Sequence, residues 1–133
     1  MSIPPRRYKV FLADDSALVR EKLRGLFSTL PAIEICGEAA NAVDAIVAIQ
    51  STAADAVVLD LDLGATSGLD VLRAVKRVAA APVVIILSIH PFGDFGEHSL
   101  REGADHYFEK GENFDVILDV LERLSLRGAQ PAN

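Results

Sequence analysis

The strongest constraint in this sequence is an alternation that runs through the whole chain: short apolar runs rich in strand formers, each followed by a stretch whose apolar residues recur at three and four. Tyr8 to Ala13 (YKVFLA), Ile33 to Ala39 (IEICGEA), Ala56 to Asp60 (AVVLD), Val83 to Ser88 (VVIILS) and His106 to Glu109 read as strands. Asp14-Asp15-Ser16 stops the first strand, and an acidic N-cap there starts a helix carrying Val19, Leu23, Leu26, Phe27 and Leu30, closed off by Pro31. Asn41 caps a second helix to about Ala53, with Val43, Ile46, Val47 and Ile49 as its expected buried stripe. Leu69 to Val78 is the third helix, after the loop GATSG. Pro91, Gly93 and Gly96 oppose the fourth, which is expected from about Asp94 to Glu102 and to be short or mobile. Asn113 caps the last, which carries Phe114, Ile117, Leu118, Leu121 and Leu124.

Five strand-then-helix units with short connections demand a parallel sheet, right-handed crossovers and helices on both faces, an α/β doubly wound architecture. At 133 residues, half of them apolar, the chain suits one domain, with a core over about 8–126 and 127–133 as a flexible tail. The longest apolar stretch, Ala79 to Leu87, is broken by Pro82 and falls short of the roughly 18 residues of a membrane span. The N-terminal MSIPPRRYKV lacks the apolar segment of a signal peptide, and the lone Cys36, expected to be a small buried hydrophobe, agrees with a reducing compartment. These features point to the cytoplasm. A net charge of −6 with no Lys or Arg cluster argues against direct nucleic-acid binding.

In open sheets of this kind the site lies beyond the carboxyl ends of the strands. The residues there are Asp14 and Asp15, Asp60, Ser88 and Lys110. Three crowded carboxylates repel unless a cation neutralises them, and an all-oxygen site of this kind suits Mg²⁺. The Lys ammonium and Ser hydroxyl would stabilise a phosphoryl group, and the central Asp60 would act as nucleophile to form an aspartyl phosphate.

This order of motifs, Asp-Asp after the first strand, VVLDLDLGATSG, VVIILS and GADHYFEKG, resembles the receiver domain of bacterial two-component response regulators, over about Tyr8 to Leu126. PAIEICGEAANAVDAI is further similar to receivers that precede LuxR-type DNA-binding domains. The resemblance implies a flavodoxin-like five-stranded sheet of order 2-1-3-4-5 with five helices. It implies Asp60 as phosphoacceptor, Asp15 and Asp60 as direct Mg²⁺ ligands, Asp14 as a ligand through water, and the backbone carbonyl of Asp62 as a further ligand. Ser88 and Lys110 would bind phosphoryl oxygens, and Tyr107 would be the switch aromatic. The implied partner is a sensor histidine kinase or phosphotransfer protein, in a signalling rather than an enzymatic role. The fourth helix, fifth strand and fifth helix are a common dimer face in the family, through which a homodimer would form.

The sequence also departs from the family pattern. Gly64 stands where the family usually has Pro, Gly111 replaces the Pro that follows the Lys and commonly makes a cis bond, and Ile89 is bulkier than the usual small residue. Asp62 and His90 occupy positions that in this family influence how long the phosphate survives. The rival reading is a haloacid-dehalogenase-type phosphatase, with Asp60 as nucleophile and Asp62 as general acid/base. Motif order opposes it, because that family begins with its DxD and places its acidic pair last. His90, His98 and His106 have no metal-ligand spacing and are expected to be solvated or packed.

Overall fold

The structure is a computed structural model and describes residues 6–111 and 114–128. Asn113, the expected cap of the last helix, and residues 129–133 of the expected tail lie outside the described residues.

Strands β1 (Tyr8–Ala13), β2 (Ile33–Ala39), β3 (Ala56–Leu59), β6 (Val83–Ser88) and β7 (His106–Glu109) form one parallel sheet in the order β2-β1-β3-β6-β7. This is the expected 2-1-3-4-5 once the two-residue strands β4 (Asp62–Leu63) and β5 (Thr66–Ser67) are set aside as a separate antiparallel hairpin. The helices are α1 (Ala17–Phe27), α2 (Ala42–Thr52), α3 (Gly68–Lys76), α4 (Phe92–Arg101) and α5 (Asp115–Gly128).

Alternation along the strands splits the core in two, as a sheet covered on both faces requires. Phe11, Ala13, Val57, Leu59, Val84 and Ile86 face α2 and α3, whereas Val10, Leu12, Val58, Ile85 and Leu87 face α1 and α5. The β1–β2 register slips between Val10 and Phe11, which leaves Cys36 without a partner residue on β1; the residue, expected to be buried, is half-buried.

Three expectations are corrected. The cap of α1 is Ser16, whose Oγ accepts from the Val19 amide, while Asp14 Oδ1 accepts from the Ser16 amide. A shorter side chain one position later does the capping and keeps the acidic pair at the strand end. On α2, Val43 and Val47 are 68% and 64% exposed, and the packed residues are Ala42, Ala45 and Ile49. This helix is apolar on nearly every side, so periodicity alone could not select the face, and the small alanines let it lie close to the sheet. Finally, α4 begins at Phe92 and α5 continues to Gly128, so Arg127 and Gly128 belong to a helix rather than to a tail.

Candidate functional site

The loop after β1 carries Asp14 and Asp15, and the residue after β3 is Asp60. One carboxylate oxygen from each of the three lies within 4.8 Å of the others. Asp14 and Asp60 are buried and Asp15 is exposed. From the far side Lys110, one residue past β7, reaches in: its Nζ lies 3.0 Å from Asp14 Oδ2 and donates to Asp60 Oδ2 at 3.1 Å. Two buried carboxylates therefore share one ammonium.

Backbone contacts fix these positions. The Asp60 amide donates to the Ala13 carbonyl at 2.8 Å, locking the two strand ends together, and the Asp62 amide donates to Asp60 Oδ1 at 3.1 Å. The start of α3 packs against the carbonyl of Asp60 so closely that a Cβ at Gly68 would stand 2.1 Å from it. At the tip of the β4–β5 hairpin Gly64 adopts φ +64, the left-handed conformation that a tight hairpin turn demands, and its amide donates to Asp15 Oδ2 at 3.4 Å.

Burial pushes the Asp60 carboxyl up from 3.8 to about 6; the Asp62 amide opposes the rise, the Asp14 charge adds to it, and Lys110 opposes it. Burial alone would lower the Lys110 ammonium, but the hydrogen bond to Asp14 and the charges of Asp60 and Asp14 raise it. One ammonium thus faces a cluster of three carboxylates. The donor set is entirely oxygen, which matches a hard divalent cation such as Mg²⁺.

The rim is built from β6 and β7. Ser88 is fully buried; its Oγ accepts from the His90 amide at 3.0 Å, and its carbonyl accepts from the Lys110 amide at 2.8 Å. Tyr107 is half-buried, and its hydroxyl donates to the His90 carbonyl at 2.8 Å while Phe92 packs edge-on to its ring at 5.6 Å. The exposed Asp62 turns its side chain to His90, with Oδ2 and Nε2 2.9 Å apart. Ile89 is 67% exposed between Ser88 and His90.

Residues 10–122 match the family model of the response regulator receiver domain. The chain belongs to that family. It is 33% identical over 111 residues to a protein-glutamate methylesterase/protein-glutamine glutaminase of Pyrococcus horikoshii, covering 83% of this chain and 30% of that protein. It is 29% identical over 123 residues to the nitrate/nitrite response regulator protein NarP of Escherichia coli, covering 92% of this chain and 57% of the relative. Among solved structures, a LuxR-family two-component response regulator from Aurantimonas sp. superposes with a TM-score of 0.82 at 26% identity, covering 91% of this chain and 86% of the other. The chain spans about a third of the methylesterase relatives it matches.

The phosphatase alternative is overturned by this match: the chain is a receiver, a signalling module in which the acidic pair precedes the central Asp. Among the described residues no helix is long and apolar enough to cross a membrane. The receiver groups the carboxylates of Asp14, Asp15 and Asp60, with Lys110 in contact with Asp14 and Asp60, and Ser88 and Tyr107 are joined to one another through His90. No cis peptide bond occurs among the described residues, so the Lys110–Gly111 bond in the turn after β7 is trans.

Gly68, the His90–Asp62 contact, and Arg20 with Glu38 are contributors that the sequence does not mark as such. Gly68 read as loop, although the second glycine of GATSG was a signal for close backbone approach. His90 packs against Phe95 and also meets Asp62 across 28 positions; both residues are expected to bear on phosphate lifetime, but their contact carries no sequence signal. Arg20 and Glu38 gave no local signal, because their pairing spans 18 positions and two elements.

Proposed function

We propose that this receiver accepts a phosphoryl group on Asp60 and relays the modification to a partner. The observation that carries the reading is the contact of one ammonium, Lys110 Nζ, with the two buried carboxylates of a three-carboxylate cluster. In the reaction a carboxylate oxygen of Asp60 attacks phosphorus as the donor's P–N bond breaks, and the donor imidazole departs with the electron pair and takes a proton from water. An acyl phosphate results. Asp15 and Asp60 would hold Mg²⁺ directly, Asp14 through water, and the Asp62 carbonyl would complete the protein's share. Bound there, Mg²⁺ would neutralise charge developing on the phosphoryl oxygens.

Lys110 then transfers part of its contact from the carboxylates to a phosphoryl oxygen, and the Ser88 hydroxyl donates to another. Moving Ser88 toward the phosphate disturbs the hydrogen bond it accepts from His90, whose carbonyl holds Tyr107. The Tyr107 ring is the switch, and α4, resting on it through Phe92, carries the change outward. The donor is a sensor histidine kinase or a phosphotransfer protein, in the cytoplasm, and the domain turns over no other substrate. Relatives carry such domains within longer chains, as a methylesterase or a nitrate/nitrite regulator. The output of this one would be an attached or separate partner, which includes a second copy docked on α4, β7 and α5, where Phe92, Phe95 and Leu100 are exposed.

Incubation with Mg²⁺ and acetyl phosphate, read by intact mass, is expected to add a single phosphoryl group to the wild type and none to Asp60→Asn. An adduct of equal yield in the variant, or none in the wild type, overturns the proposal.

A further inference from the structure

Arg20 lies on α1, outside the carboxylate cluster, yet it spans two elements. Its Nη1 donates to the carbonyl oxygen of Asp14 at 2.5 Å and its Nε donates to Glu38 Oε1, on β2, at 3.0 Å. Glu38 is itself fixed from the other side by Arg24, whose Nη1 lies 2.6 Å from Oε1. The Asp14 amide donates to the Ala39 carbonyl at 3.1 Å, so both faces of this residue's backbone are tied to the end of β2.

The carbonyl of Asp14 belongs to the peptide unit that leads into Asp15. That unit is planar, so fixing its oxygen fixes the direction in which the Asp15 Cα departs. Asp15 needs this help. It is the exposed member of the cluster, and a hydrogen bond from the Gly64 amide at 3.4 Å is a weak restraint on its carboxylate. We infer that Arg20 is a positioning residue for the divalent-cation site: by bridging Glu38 to the Asp14 carbonyl it orients the Asp14–Asp15 peptide so that the Asp15 carboxylate faces Asp60. The inference rests on the reading of the three-carboxylate cluster as a Mg²⁺ site.

Charge and geometry predict opposite signs here. A guanidinium beside a cation site repels the cation, so if Arg20 acted only through its charge, removing it would tighten Mg²⁺ binding. If it acts as a clamp, removing it weakens binding even though repulsion is relieved. Lys keeps the charge but not the planar fork that reaches two acceptors in different directions, so it cannot restore the clamp.

Mg²⁺ alone, titrated calorimetrically into the full chain, separates the cases without reference to phosphotransfer. Arg20→Gln and Arg20→Lys are each expected to weaken Mg²⁺ about tenfold, the scale on which residues that orient metal ligands act. Arg24→Gln, which removes a cation from Glu38 without touching Asp14, is expected to match the wild type. Thermal unfolding of each variant monitors the fold, and the Lys variant retains the aliphatic stem and charge should Gln prove unstable. Unchanged or tighter binding in Arg20→Gln, restoration by Arg20→Lys, or an equal loss in Arg24→Gln overturns the role of Arg20. Failure of the wild type itself to bind Mg²⁺ overturns instead the cation-site reading beneath it.

Discussion

The two sides of the pocket are held by different means. On the β1–β3 side, backbone groups hold the buried carboxylates in place: the Asp60 amide to Ala13, the Asp14 amide to Ala39, the Gly68 amide to Leu61, and the Asp62 amide to the Asp60 carboxylate. On the β6–α4 side the Ser88 carbonyl takes the Lys110 amide, but α4 itself is attached through side chains. Helix α4 buries only the small residues Gly96 and Ser99, the Ser99 hydroxyl finds no hydrogen-bond partner among the described residues, and the ring contacts of Phe92 with Tyr107 and Phe95 with His90 hold the helix to the rim. Contacts of this kind contribute about 1 kcal/mol each, so they can exchange while the carboxylates stay where the backbone puts them. The carboxylates are anchored; the rim is hung beside them.

The largest test of this contrast is on the anchored side. Gly68→Ala drives a Cβ against the Asp60 carbonyl and the Leu61 Cα, both backbone atoms that cannot swing aside, and is expected to cost about 3 kcal/mol in urea unfolding. Next comes the buried charge itself. The Asp60 carboxyl titrates at about 6 in the folded chain against an ordinary 3.8, so within that window the folded chain holds a proton the unfolded chain has lost. Stability accordingly falls as pH rises through the window. Asp60→Asn is expected to stabilise the Mg²⁺-free domain by about 2 kcal/mol near pH 8, with the gain vanishing below about pH 4. An equal gain at both pH values would place its source elsewhere.

On the hung side the effects should be smaller. Tyr107→Phe removes the hydrogen bond to the His90 carbonyl and is expected to cost about 1 kcal/mol, with a shift in the amide resonances of His90 and its neighbours. Gly96→Ala is the finest discriminator. Its Cβ would overlap the Phe92 ring at 2.0 Å and push it off Tyr107, but alanine favours the helix by about 1 kcal/mol over glycine. Net stability is expected to change little while the near-ultraviolet signal of Tyr107 changes. A loss as large as that at Gly68 would mean α4 is as firmly fixed as α3.

The same contrast explains what could be read from the sequence. The strands Ile33–Ala39, Val83–Ser88 and His106–Glu109 have the expected limits, because a Pro, Gly or Asn stands within three residues of each end and leaves little choice of boundary. Asp14, Asp15, Asp60 and Lys110 were legible because a parallel sheet delivers whatever follows its strands to one edge. The packed face of α2 was not, since Val43 and Val47 compete with Ala42 and Ala45 and only the closeness of the sheet decides. Nor were the Arg20–Glu38 bridge, the His90–Asp62 contact or the need for Gly at 68, which exist only once distant segments meet.

Gly64 has a consequence for anyone exchanging parts between receivers. With φ +64, its backbone lies in a region closed to proline, whose ring holds φ near −65°. The proline common at this position in the family therefore cannot be grafted in alone; the turn of the hairpin Asp62–Ser67 has to change its backbone with it.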